Sequence, residues 1–165
     1  MTGTQKGFAR TNRLRIKARK HLILVGQAMW MFMASIVWLA GCGGSQPFST
    51  VPVSGKVMYE DGSLIPAPQI QVMFVPQVPP VDKKTYPRPG LAYVNPKDGT
   101  FANVTSHQPG DGVVVGRAKV VIKTLDERGN PTAHVPREYQ EVSTTPLEVE
   151  VSKENRDFVL KVKKP

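Results

Sequence analysis

The sequence predicts an all-β domain, a single antiparallel β-sandwich of about seven short strands over residues 51–165, behind an N-terminal segment of a different kind. Three observations predict it. Beyond residue 50, apolar residues recur at every second position, the period of a strand with one buried face. Turn signals containing Gly, Pro, Asn or Asp cut these runs into short pieces, as a sandwich requires. No stretch in this region places its apolar residues at helical spacing.

Val51, Val53, Val57 and Tyr59 alternate with Pro52, Lys56 and Met58, which predicts a first strand, and Glu60-Asp61-Gly62-Ser63 ends it in a turn. Ile70, Val72 and Phe74 alternate with Gln69, Gln71 and Met73 in a second strand. A proline-rich excursion runs from Pro76 to Gly90. Leu91–Val94 and Thr100–Val104 flank Asn95-Pro96-Lys97-Asp98-Gly99, the pattern of a hairpin with a glycine-containing loop. After Pro109-Gly110-Asp111-Gly112 comes a strand around Ala118, Val120 and Ile122, and residues 126–145 form a second long connection. Leu147, Val149 and Val151, then Phe158, Leu160 and Val162, supply the last two strands. Within the long connection, Pro136 and Tyr139 are expected to pin the loop across the sandwich, the ring buried and the hydroxyl bonded to backbone.

The first 41 residues read as a targeting segment. Lys6, Arg10, Arg13, Arg15, Lys17, Arg19 and Lys20 form a basic stretch without acids, and residues 22–40 are apolar except for Gly26, Gln27 and Ser35. A positive region, an apolar region and small residues before a cut are the parts of a secretory signal. The positive flank stays on the cytoplasmic side, so the chain beyond the apolar run is exported. Without an Arg-Arg pair, the general secretion route is expected. The only cysteine, Cys42, ends Leu39-Ala40-Gly41-Cys42. This tetrapeptide resembles the lipobox of bacterial lipoprotein precursors, which implies cleavage after Gly41 and a diacylglyceryl group on the Cys42 sulfur. The alternative is an uncleaved anchor, since the apolar run approaches the ~20 residues that span a bilayer. Residues 42–50 are small and polar and read as a flexible tether of short reach.

Net charge is +9 for the whole chain, but its distribution decides what that means. Seven of the 22 Lys and Arg residues lie in residues 1–20 and all 13 Asp and Glu residues lie after Cys42, leaving fifteen basic against thirteen acidic residues in the exported part. A nucleic-acid binder keeps its basic excess in the folded domain, so nucleic acid is not an expected partner. Without a second cysteine the domain must fold on its core alone.

Longer stretches carry a family resemblance. Residues 53–64 (Val-Ser-Gly-Lys-Val-Met-Tyr-Glu-Asp-Gly-Ser-Leu), residues 70–76 (Ile-Gln-Val-Met-Phe-Val-Pro) and Pro96-Lys97-Asp98-Gly99-Thr100-Phe101 are similar to a carboxypeptidase-regulatory-like domain. Together with residues 109–116, 135–139 and 143–151, they resemble short secreted lipoproteins abundant in planctomycete bacteria. The resemblance spans residue 39 to about residue 163 and departs at Val94-Asn95, where that family often has Thr-Asp. It implies a transthyretin-like seven-stranded sandwich and brings no catalytic residues with it.

Little in the sequence points to chemistry. No Gly-x-Ser-x-Gly elbow occurs, and His107 and His134, the two histidines after Cys42, lie in Pro/Gly-rich connections. No enzymatic activity and no catalytic residue are expected. Asp61, Asp98 and Asp111 each precede a glycine, but Pro96, Lys97, Pro109 and Gly110 occupy positions where a calcium loop needs oxygen ligands. Local turn bonding explains them, and no metal or other cofactor is expected beyond the lipid at Cys42. The loop carrying Lys83, Lys84, Tyr86 and Arg88 is the candidate binding surface, an aromatic flanked by cations that suits a sugar ring, acidic glycans or lipid head groups. The reading is therefore a membrane-anchored, non-enzymatic module of the bacterial envelope, structural or protein-binding. Its partners are the bilayer through Cys42 and an envelope protein or glycan. The alternative is a carbohydrate- or small-ligand-binding module using the 76–90 loop.

Overall fold

The computed structural model describes residues 47–165. The basic stretch, the apolar run and Leu39–Cys42 lie outside the described residues, and so does the tether up to residue 46. Among the described residues no helix is long and apolar enough to cross a membrane.

The domain is all-β. Its strands are β1 (Thr50–Val51), β2 (Ser54–Tyr59), β3 (Gln69–Pro76), β4 (Gly90–Val94), β5 (Thr100–Phe101), β6 (Val113–Val114), β7 (Gly116–Leu125), β8 (Glu148–Val151) and β9 (Asp157–Val162). A single 3-10 turn, Arg137–Gln140, interrupts the connection after β7. Strand propensity supports the longest members, since Ile, Val and Phe recur along β3 and Val120-Val121-Ile122 forms the centre of β7. In β3 burial alternates without a break, Ile70, Val72 and Phe74 facing the core.

The predicted antiparallel sandwich needs correction. Seven strands form one mixed sheet in the order β8-β7-β3-β4-β5-β2-β9, and β1 pairs with β6 in a separate two-stranded sheet. Most pairs are antiparallel, but β2 and β9 run parallel through six register pairs from Ser54↔Asp157 to Tyr59↔Val162. The large sheet is curled. Four strand steps separate β3 from β9, which is about 19 Å on a flat sheet. Yet the Phe74 ring on β3 lies 6.2 Å from the Phe158 ring on β9, and 5.8 Å from Phe101 on β5. The sheet must therefore fold over upon itself. The bend falls near β5, which meets β4 in a single register pair, Val94↔Phe101.

Three strand predictions also change. The first predicted strand is two, because Pro52 has no N–H for a ladder and the chain changes sheets between Val51 and Ser54. The expected Thr100–Val104 strand stops at Phe101. Asn103 takes a φ of 54°, which turns the chain while still burying Val104. Strand β6 comes directly after Gly112, where the sequence predicts only a turn.

The 126–145 connection covers part of the core rather than looping free. The Thr124 hydroxyl donates to the Thr132 carbonyl at 3.0 Å, and the Thr145 hydroxyl donates to the Val120 carbonyl at 2.6 Å. Between these clamps the Tyr59 hydroxyl donates to the His134 carbonyl at 2.6 Å. The Tyr139 ring is buried in the core, and its hydroxyl accepts from the Lys163 amide at 3.4 Å. Tyr139 thus anchors the connection as predicted, through its ring more than its long hydrogen bond.

Candidate functional site

Three segments distant in sequence meet at the end of the domain that carries β1. Thr50 and Val51 pair with Val114 and Val113, and the Val115 amide donates to the Ser49 carbonyl at 2.9 Å. This fixes Pro47 and Phe48 beside β6. Leu91 and Thr105 exchange two backbone hydrogen bonds of 2.9 Å, drawing the 76–90 excursion toward residues 105–111. Between them lies an open groove of about 200 Å³, lined by Pro47, Phe48, Lys84, Tyr86, Arg88 and His107, with Thr50, Thr85, Ser106 and Val114 completing it.

Two aspartates build its walls. Asp82 accepts from the Lys84 amide at 2.7 Å, the Thr85 amide at 2.9 Å and the Thr85 hydroxyl at 2.9 Å. The Lys84 amide and the Thr85 hydroxyl are the main reasons its carboxyl is held below the ordinary value. Asp111 accepts from the amides of Ser106 (2.7 Å), His107 (3.0 Å) and Gln108 (3.1 Å), and from the Ser106 hydroxyl (3.0 Å). Partial burial pushes that carboxyl up, but these donors together outweigh burial and the net shift is downward. Both acids are occupied by loop amides. The cations above them have no such partner: Lys83, Lys84 and Arg88 form no ion pair with another described residue.

Of the predicted loop residues, the structure brings Lys84, Tyr86 and Arg88 into the groove and leaves Lys83 exposed outside its lining. Tyr86 is 61% exposed. Phe48 and His107 complete the surface and were missed, because nothing in their local sequence signals a groove. The β1–β6 pairing that assembles it spans more than sixty residues.

The three Asp-Gly turns behave as turn chemistry predicts. Asp61 accepts from the Ser63 amide and hydroxyl, Asp98 from the Thr100 amide and hydroxyl, and the glycines after them have φ of 85° and 76°. Gly112, after Asp111, has φ of 93°. Among the described residues no three His, Cys, Asp or Glu side chains gather as a metal site would require. The Ser106 hydroxyl donates to Asp111 rather than to a histidine, and among the described residues neither imidazole bonds a serine hydroxyl. In comparisons with protein-family models, curated proteins and solved structures, nothing matches this chain.

Proposed function

We propose that the chain is a membrane-anchored lipoprotein of the bacterial envelope whose β-domain acts without catalysis, as a structural or protein-interaction module. The observation that carries this reading is the run of basic residues, apolar residues and Leu39-Ala40-Gly41-Cys42, succeeded within ten residues by the first strand of a folded domain. Such an order has a simple logic: export, attachment through the sulfur, and a short tether. The transthyretin-like assignment belongs to the same proposal. It draws support from the all-β curled sheet and from the Asp98-Gly99 hairpin.

A second reading, a carbohydrate- or small-ligand-binding module, is favoured by the groove beside Tyr86, where an exposed aromatic ring stands among Lys84, Arg88 and His107. Intact mass of the membrane-extracted protein, native and as Cys42→Ser, tests the anchor. A native mass of residues 42–165 plus acyl chains, with the mutant unprocessed, is expected. An unmodified full-length mass for both proteins would replace the lipid anchor with a membrane-spanning one.

A further inference from the structure

We infer that the groove end of the domain docks on the anionic head groups of the bilayer to which the chain is anchored, with Lys83, Lys84 and Arg88 supplying the charge and Tyr86 the interfacial ring. The inference rests on the anchor proposed above and extends it from attachment to orientation. Two independent observations point the same way.

The first is chain geometry. Pro47 and Phe48 line the groove, so the tether joins the domain at this end and no other. Only five residue steps separate Cys42 from Pro47, a reach of at most about 18 Å when extended. A domain held so closely keeps the face at its tether within a few Debye lengths of the head groups. The second is charge. Lys83, Lys84 and Arg88 outnumber Asp82 and Asp111, the ionised acids that brace the loops behind them, and none of the three forms an ion pair with another described residue. Basic residues next to a membrane anchor are drawn to anionic lipid, each by about fivefold in preference. Tyrosine suits the same depth, its ring apolar and its hydroxyl wet.

The test uses full-length protein extracted from membranes and reconstituted into vesicles of phosphatidylcholine, with or without one third phosphatidylglycerol. An amine-reactive acetylating reagent is applied at low salt, and modification is read by peptide mass spectrometry. Lys161, paired with Met58 toward the far end of β2, is the internal reference. Anionic vesicles should slow modification of Lys83 and Lys84 about fivefold relative to Lys161, and added salt should reverse this. In the triple variant K83S/K84S/R88S, nitration of Tyr86 should proceed equally on both vesicle types. Equal acetylation of Lys83 and Lys84 on the two vesicle types would overturn the inference. So would equal protection by inorganic phosphate on neutral vesicles, which would assign the cations to a free anion. The intact mass of the same preparation reports the anchor separately. An unprocessed chain would still be held by residues 22–40, so the labelling comparison decides docking in either case.

Discussion

Phe74 and Phe158 offer a direct measurement of the sheet's curl. They sit on strands four steps apart, yet their rings are 6.2 Å apart and tilted by 44°. Phe74 is fully buried and Phe158 nearly so. Aromatic pairs at this separation couple by about 0.5–1.5 kcal/mol beyond the area they bury. Residues more than about 7–10 Å apart without shared partners add to within roughly 0.3–0.5 kcal/mol. Alanine is a poor probe, since each Phe→Ala change costs about 3–5 kcal/mol and two would exhaust a typical domain. Leucine keeps most of the volume, so F74L, F158L and the double variant should each remain folded. Urea unfolding of the detergent-solubilised full-length chain gives the free energies. Near-UV circular dichroism must follow tyrosine, because both tryptophans, Trp30 and Trp38, precede the domain. Buried Tyr59 and Tyr139 supply that signal. The double variant should lose less than the sum of the singles by about 0.5–1.5 kcal/mol. Strict additivity would refute the curl, placing the two rings on a flatter sheet.

Three further outcomes are expected. Gly112→Ala should destabilise by roughly 2–4 kcal/mol, because a Cβ there would overlap the Val51 carbonyl oxygen at a φ of 93°. Gly62→Ala, at a φ of 85° with open space around it, should lose only about 1–2 kcal/mol; equal losses in urea unfolding would mean β1 does not approach Gly112 so closely. Asp111 holds a depressed folded pKa, so its contribution is present above the unfolded carboxyl value near ~4 and is lost as pH falls through the folded value. The urea-midpoint gap between wild type and Asp111→Asn should accordingly be wide at pH 7 and narrow at pH 3, and a gap independent of pH would show that the carboxylate is not what holds the 106–108 loop. Tyr139→Phe should cost at most about 1 kcal/mol and Tyr139→Ala about 3–5 kcal/mol, measured by thermal unfolding; equal losses would make the hydroxyl, not the ring, the anchor.

The parts legible in the sequence were local. Alternation in Gln69–Pro76 foretold which side chains enter the core, because strand period depends only on neighbours. The Asn95–Gly99 hairpin and the role of Tyr139 were also readable, one from turn chemistry and one from an aromatic in a long connection. The misreadings were non-local. Parallel pairing of β2 with β9 depends on a contact across 103 residues, between Ser54 and Asp157, and no local pattern encodes it. Val51 and Val53 look like one strand because both are buried, although they belong to opposite sides of a change of sheet. For the candidate site, the cations and Tyr86 could be read from composition. Their company with Phe48 and His107 could not, since two distant pairings create it.

The parallel pair β2–β9 also sets a timetable. A chain that emerges amino end first releases β2 long before Asp157–Val162 is out, and during that interval β2 has one neighbour at most, the two-residue β5. Its open edge is then a template for the wrong strand. Closing a loop of this length is slow in entropic terms, so the domain waits on its last strand before the Phe74–Phe101–Phe158 cluster can assemble. An unfinished sheet therefore persists from the release of Tyr59 until Asp157–Val162 is out, the interval in which its unpaired edge is most open to wrong pairing.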